Sequence, residues 1–484
     1  MDLFLFATER KKALSNAKEL TGKIVLVVPI SHTHYLVPPI GLGYLATALR
    51  QHDCTNIVIL DCVKERLSFT DLKARFKIWK PQIVGFQVFS YDFDSVVRSI
   101  EILKQVSPKT IVLIGGAHVS ATSETVLEEI NGADFGFAGE GEIGLPMLAR
   151  RILGNEKVPL ENIPGLIWRD GSSIRTNARA GTEDLDRLGF QAWDLMPPAS
   201  YDGSPQGGFY KRFPIAPIST TRGCPYLCTF CGSGLNMGHK LRNRSMGHVM
   251  DEMVMLYNDY GVREFHIIDD MFNFYKNRVF EFCQGIKDRN LDISYTFPNG
   301  LRLNQLDRET LQMMKDTGAY AFTVGIESGS QRILDTMKKG LTLKLVEEKV
   351  NLINALGLEP NGFFIIGYPG ETVDDINATI RFAKKLKLKR AHFSNFLPLP
   401  GTEATKRLVE TGEIDRTDWG TLFYSKVSYA PKGITKKQLK QLQRRAFLEF
   451  HLRPHILFRM LSEIKSINQL KMIIMRAIDY LFKK

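Results

Sequence analysis

Three cysteines crowd one short segment, Thr220–Cys231 (TTRGCPYLCTFC): Cys224, Cys228 and Cys231. Their spacings of three and two residues let a single tight loop wrap three thiolates around one metal cluster. Ferredoxin-type clusters take four cysteines, and no fourth stands near. Cys283 falls inside an expected helix, while Cys54 and Cys62 belong to an earlier part of the chain. A cluster with three protein ligands leaves one iron open, much as a catalytic metal keeps an open position. Two plainer readings compete. Zinc would need a fourth ligand, which His239 or His248 could supply, and three unrelated buried thiols would need no metal. Gly223, Pro225, Tyr226 and Phe230, woven through the same loop, favour the cluster.

The elements that must position this loop are legible as two series of alternating strands and helices. In the first, Lys23–Ile30, Asn56–Asp61, Gln82–Val88, Thr110–Gly115 and Asp134–Ala138 read as short buried strands. Helices are expected after Pro38 to Arg50, over Asp92–Gln105, over Ser123–Asn131 and through about Leu153. Such alternation implies right-handed crossovers and a parallel sheet covered on both faces. These sheets bind ligands beyond the carboxyl ends of their strands. Residues 155–210, with Pro164, Gly171, Pro197, Pro198 and Gly203–Gly208, read as an irregular connector. The second series begins near Pro217, with strands expected at Ile218–Thr220, Glu264–Ile268, Ser294–Phe297, Ala321–Gly325, Gly362–Ile366 and His392–Phe396. Helices between them include Gly247–Tyr260, Arg278–Arg289, Asp307–Thr317 and Asp374–Leu386. Six repeats give a partial (βα)6 TIM barrel, with its site at the strand carboxyl ends. The expected class is thus α/β. A doubly wound, Rossmann-like domain (1–154) is followed by the connector (155–210), the partial barrel (211–425) and a basic helical C-terminal region (426–484).

The composition, 44% hydrophobic and 24% charged over 484 residues, is that of a globular protein. Six cysteines are too few for a disulfide scaffold. The opening apolar patch Met1–Phe6 precedes Glu9, Arg10, Lys11 and Lys12, the reverse of an export signal. No run of about 18 apolar residues suits a membrane span, and a reducing cytoplasm is the natural setting. The net charge of +12 is concentrated at the end: from Lys432 to Lys484 there are thirteen Lys or Arg against three Asp or Glu. The remainder is near neutral, which argues against a nucleic-acid role. Within the tail, Phe450, Leu452, Ile456, Leu457, Met460, Leu461 and Ile464 fall at roughly helical spacing among basic residues. Read plainly, this is a helix packed on the barrel with a solvated outer side. A sharper reading is peripheral contact with a membrane surface or a lipid-like substrate.

On these motifs, residues 217–400 resemble a radical S-adenosylmethionine (radical SAM) enzyme, with CxxxCxxC in the loop after the first barrel strand. The resemblance implies a 4Fe-4S cluster on Cys224, Cys228 and Cys231. Its open iron would chelate the amino and carboxylate groups of S-adenosylmethionine, and an electron from it would release a 5′-deoxyadenosyl radical. It also implies a cradle for that cosubstrate. Asp269-Asp270, after the second strand, would meet the methionine amino group, and Arg302, after the third, its carboxylate. Glu327, in Gly325-Ile326-Glu327-Ser328-Gly329, would lie near the ribose, and Gly362, Ile365 and Gly367 of the fifth strand near the adenine. The segment Leu397–Thr402 closes the sixth repeat. Each has a plainer alternative: glycine-rich turns, a helix cap at Asp269, a surface ion pair at Arg302.

Residues 23–150 resemble the cobalamin-binding domain that precedes the barrel in a large branch of this superfamily. The resembling residues are Pro38–Tyr44 (PPIGLGY), Gly115-Gly116-Ala117-His118 and Gly139-Glu140-Gly141-Glu142. Gly41, Gly115, Gly116, Gly139, Glu140 and Gly141 are therefore the expected cobalamin contacts, since glycine loops let backbone approach a large ligand closely. A plain doubly wound domain with tight turns is the alternative. The DxHxxG run that supplies a cobalt-binding histidine elsewhere is missing. His32, His34 and His118 lack its Asp and Gly, so no protein imidazole is expected on cobalt.

Together the resemblances imply a class B radical SAM methyltransferase acting on an unactivated carbon. An alkyl C–H bond has no pKa that acid–base catalysis could exploit, so a carbon radical is needed. The same cofactors also serve cyclisation or ring rearrangement, as in the anaerobic tetrapyrrole cyclases, on a tetrapyrrole- or lipid-type substrate. A non-catalytic cobalamin or redox sensor is a third reading. The expected partners are a small-molecule or lipid-like substrate and a reductant such as flavodoxin or ferredoxin, with no nucleic acid. No residue is assigned to the substrate step itself.

Overall fold

The computed structural model describes residues 20, 22–31, 33, 36–154, 156–201, 209–415, 418–423, 426–464 and 467–482. The expectations placed on Met1–Lys12, His32, His34 and Gly203–Gly208 lie outside these residues.

Short runs rich in Val and Ile build the first sheet: β1 (Ile24–Val28), β2 (Ile57–Asp61), β3 (Ile83–Gln87), β4 (Ile111–Gly115) and β5 (Phe135–Phe137). They pair in the order β2-β1-β3-β4-β5, all parallel. Helices cover both faces, as continuous apolar strands require. Leu72, Phe76, Val96 and Ile100, on helices Phe69–Trp79 and Phe93–Val106, pack on one face. Leu42, Ala46, Leu145 and Leu148, on helices Ile40–Arg50 and Gly144–Gly154, pack on the other. The helix expected over Ser123–Asn131 is instead two short ones, Ala117–Ala121 and Val126–Glu129.

The stretch expected as an irregular connector carries a hairpin, β6 (Leu166–Asp170) and β7 (Ser173–Thr176), and β6 adds antiparallel to β5. Gly171-Ser172 makes its turn, with Gly171 at φ +60, a backbone region that favours glycine. The first sheet therefore has seven strands and extends into residues 155–210.

The second sheet contains β8 (Ile215–Ile218), β11 (Glu264–Ile267), β12 (Ser294–Leu301), β13 (Ala319–Glu327), β14 (Glu359–Ile366) and β15 (Arg390–Asn395), in the order β15-β14-β13-β12-β11-β8. Every neighbouring pair is parallel. A separate antiparallel pair, β9 (Thr221–Arg222) with β10 (Arg242–Asn243), braces the start of the cysteine loop. The first barrel strand begins and ends earlier than the expected Ile218–Thr220. Thr220 is instead held by Asp269, which accepts from its N–H at 2.6 Å and also from its hydroxyl.

The barrel helices bury their inner faces against this sheet, among them Met246–Asp259, Lys276–Asp288, Leu343–Ala355 and Val373–Lys385. Several start on side-chain caps, as at Ser245 and in the Thr372/Asp375 capping box. The helix Lys436–His451 then crosses outside β15, burying Leu439, Ala446 and Phe450. Two further helices follow, Pro454–Ser462 and Ile467–Phe482. Their outer side leaves Phe458 and Ile467 each 74% exposed. Among the described residues no helix is long and apolar enough to cross a membrane. Beyond β15 the chain also reaches back to the first domain, where the Trp419 indole N–H donates to Glu129 at 2.9 Å.

Candidate cofactor site

The cysteine loop is fixed by its backbone. Cys224 N–H donates to the Gly238 carbonyl at 3.2 Å and Cys231 N–H to Cys228 at 3.1 Å. Thr229 ties it to the barrel through the Met337 carbonyl and the Tyr368 hydroxyl. Gly223 sits at φ +89, where a Cβ would meet the Lys240 carbonyl at 2.3 Å. Only glycine fits there. All three thiols are free, with Cys231 at the surface and Cys224 and Cys228 half-buried. The surrounding protein raises the Cys224 thiol and pushes Cys231 up to about 11. Three soft donors on one loop suit an iron–sulfur cluster, which takes deprotonated thiolates.

The zinc reading loses one of its ligands. His248 is turned to the Arg244 guanidinium at 3.1 Å and stacks on Phe190. His239 stays close, its Nδ1 3.2 Å from the Cys224 carbonyl. Among the described residues no three His, Cys, Asp or Glu side chains converge on a single-ion site.

The residues expected around S-adenosylmethionine divide. Arg302 lies over the Tyr226 ring of the cysteine loop, 3.9 Å from its centroid, and donates to the Lys339 carbonyl. Glu327, at φ +68, pairs with Lys339 at 2.7 Å, and that ammonium faces Phe230 of the same loop. Ile365 packs, as Phe230 does, against the buried cluster of Ile333, Met337, Tyr368 and Phe396. These three gather at the cysteines. Three others do not. The Asp269 carboxylate is consumed by Thr220. A Cβ on Gly362 would press on Leu388 and Ile326, toward the helix layer. Gly367 clears the way for Leu439, which a Cβ would meet at 2.4 Å.

Two more residues stand here: Asp270, of the Asp269-Asp270 pair expected at the methionine amino group, and Lys339, to which the sequence assigns no role. Asp270, raised by burial, accepts from Ser233 and acts on the Cys224 and Cys231 thiols.

All six residues expected at cobalamin line one open cleft at the carboxyl ends of the first sheet. Leu42, Leu45, Leu113 and Phe137 give it an apolar floor, while Arg222, Asn236 and Met237 come across from the barrel side. Gly116 at φ +115 would place a Cβ 2.9 Å from the Val88 carbonyl, and Gly139 lies at φ +80. Glu140 is locked at the rim, accepting from Arg222 at 2.9 Å and from Arg242, while Glu142 takes Arg222 at 2.7 Å. A broad apolar cleft with a glycine cradle fits a large flat ligand such as cobalamin.

His118 does not enter this cleft. Its Nδ1 meets the Ser90 hydroxyl at 2.9 Å, and its ring sits between Phe93 and Trp419. Burial lowers it to about 4, so it is neutral.

Residues 218–383 match the family model of the Radical SAM superfamily, and residues 26–149 that of the B12 binding domain. An uncharacterized methyltransferase of Pyrococcus horikoshii is 32% identical over 451 residues, covering 91% of this chain and 95% of that protein. The chain belongs to the radical SAM superfamily, in the branch that carries a B12 binding domain. The cofactors of this radical SAM branch are a 4Fe-4S cluster, S-adenosylmethionine and cobalamin. The cytidylyl-2-hydroxyethylphosphonate methyltransferase of Streptomyces wedmorensis is 29% identical over 428 residues, 78% of this chain and 79% of its own. The same fold occurs in the radical SAM methyltransferase TsrM of Kitasatospora setae, with a TM-score of 0.66 at 21% identity, covering 87% and 85% of the two chains.

Proposed function

We propose that this radical SAM enzyme methylates an unactivated carbon of a small molecule. In this reading Cys224, Cys228 and Cys231 hold the 4Fe-4S cluster, and the glycine-lined cleft holds cobalamin. The observation that carries it is Arg222. Two residues ahead of Cys224, it grips Glu140 and Glu142 on the cleft rim, so one buried side chain sets the two cofactor sites face to face. The P. horikoshii relative, named a methyltransferase, supports the same class.

When bound, these cofactors supply homolytic hydrogen abstraction and a transferable methyl group. The protein does the rest. Arg302 and Lys339 place positive charge beside Tyr226 and Phe230, where the cosubstrate carboxylate would lie. Glu327, charge-balanced by Lys339, faces the same space. Asp269 is a positioning residue: through Thr220 it fixes where the cysteine loop leaves the barrel. Backbone at Gly115, Gly116, Gly139 and Gly141 lets the corrin approach without a clash. A small reductant such as flavodoxin or ferredoxin supplies the electron.

The test is anaerobic reconstitution with reductant and S-adenosylmethionine carrying a deuterated methyl group. Formation of 5′-deoxyadenosine, and labelled methyl in the metabolite that accumulates, support the proposal. A product that loses hydrogens and gains no label reads as cyclisation and overturns it.

The tail supports peripheral contact with an anionic lipid surface. Exposed Leu457, Phe458, Leu461, Ile474 and Ile478 stand among basic residues. A second copy of the chain would bring the same positive charge against it, whereas acidic lipid complements it. Co-sedimentation with phosphatidylglycerol vesicles and not with phosphatidylcholine vesicles is the expected result.

A further inference from the structure

The barrel lumen holds a second cavity, of about 300 Å³, bounded by Thr296, Pro298, Thr323, Asn361, Phe363 and His392 among others. These residues run from the start to the middle of β12, β13, β14 and β15, so the cavity occupies the lower and middle lumen, and none of its walls comes from the cysteine loop. From Asn361 to Ile366, where β14 ends, the rise is about 16 Å.

Its walls leave polar atoms unmet. Asn361 is 7% exposed and its Oδ1 accepts nothing; Arg390, 9% exposed, has an unpaired Nε. The two residues are register partners on adjacent strands. Buried polar atoms are almost always bonded, and each exception calls for a ligand or water to complete it. Three other wall groups are already used: Thr296 donates to the Ala321 carbonyl at 2.8 Å, Tyr320 to Glu264 at 2.8 Å and Asn299 to the Ile268 carbonyl at 2.6 Å.

The two cations beside this cavity are paired, while Arg459 and Arg476 act on Arg390 and His392 from farther out. Arg390 pairs with Glu463, and Lys389 pairs with Glu463 and Glu359. Two cations are therefore held by two carboxylates, which leaves little attraction for an anion. The remaining surface is aromatic: Phe363 meets His392 in a tilted pair with centroids 5.3 Å apart, and Phe209 lies on Arg390 at 3.8 Å.

We infer that the lower lumen binds the non-reacting end of the substrate, a planar uncharged group offering a hydrogen-bond donor to Asn361 and an acceptor to Arg390. This rests on the reading that the chemistry lies at the strand carboxyl ends. The substrate is then elongated, anchored below and attacked above. Binding energy from the remote end holds the reacting carbon in place.

The test uses the full chain and three fragments of one size: nicotinamide, with donor and acceptor; nicotinate, charged and without the donor; and toluene, with neither. Ligand-observed NMR should find nicotinamide binding on the order of millimolar and the other two more weakly. Asn361→Leu should weaken nicotinamide about tenfold, the loss of one buried hydrogen bond. Equal binding of all three fragments, tightest binding of toluene, or no effect of Asn361→Leu overturns the inference. Should that variant not fold, Asn361→Asp keeps the volume and the acceptor and must raise the nicotinamide-to-nicotinate ratio; an unchanged ratio overturns the inference equally. None of these readouts involves turnover, so failure here leaves the methyl-transfer assay to stand or fall alone.

Discussion

Arg222 donates to Glu142 across 2.7 Å, with each side chain 8% exposed. Removing one partner of a buried pair strands the other charge, which costs about 3–5 kcal/mol. Arg222→Met should lower unfolding stability by about that amount, because Glu140 loses a partner too. It should also reduce the cobalamin retained after gel filtration. A loss below about 1 kcal/mol by urea denaturation would mean the contact is solvated and does not join the two halves.

Replacing any one of Cys224, Cys228 or Cys231 by alanine should abolish bound iron and sulfide while leaving the circular dichroism unchanged. Cys54, Cys62 and Cys283 are buried packing residues, and their serine variants should keep full iron content. Iron analysis of anaerobically reconstituted protein separates the two groups.

Two glycines of the cleft should behave oppositely in stability. Gly116→Ala forces a side chain against the Val88 carbonyl at φ +115, costing on the order of 1–3 kcal/mol. Gly41 starts a helix with nothing within 4 Å of its added Cβ, so Gly41→Ala should stabilise by about 0.4–1 kcal/mol. Both line the cleft, and both should lower cobalamin affinity. Equilibrium dialysis with hydroxocobalamin checks this.

Burial pushes Glu371 up to about 8, although Gly367 and Tyr368 N–H groups donate to it. The folded state thus holds this proton more tightly than the unfolded chain, and stability falls as pH rises from about 4.5 to 8. Glu371→Gln should flatten that decline in thermal melts between about pH 6 and 8.5. A slope identical to the parent protein's would refute the assignment.

Much of this molecule was readable in advance where local chemistry dominates. The strands of both sheets show as β-branched runs, and the cysteine spacing and cleft glycines as motifs. What escaped depends on partners distant in sequence. Asp269 looked like a cosubstrate contact, yet Thr220, forty-nine positions earlier, consumes its carboxylate. Gly362 and Gly367 carry a motif, but Leu388, Phe364 and Ile326 crowd the first and Leu439 of the helix Lys436–His451 the second. The hairpin at Gly171-Ser172 had a turn signal that the surrounding prolines and glycines obscured. Lys339 gains meaning only when folding sets it beside Glu327 and Phe230.

The hydrogen bond from Trp419 to Glu129 fastens the chain beyond β15 to the helix Val126–Glu129 of the first domain, in addition to the Arg222 contacts. A corrin seated between two halves latched at several points, Arg242–Glu140 and Ser120–Asn236 among them, would leave only when these latches open together. Release would then be slow beyond what affinity alone dictates, and cobalamin would act as a mortar whose removal loosens the joint. Trp419→Phe should therefore speed cobalamin exchange more than it changes the amount bound at equilibrium.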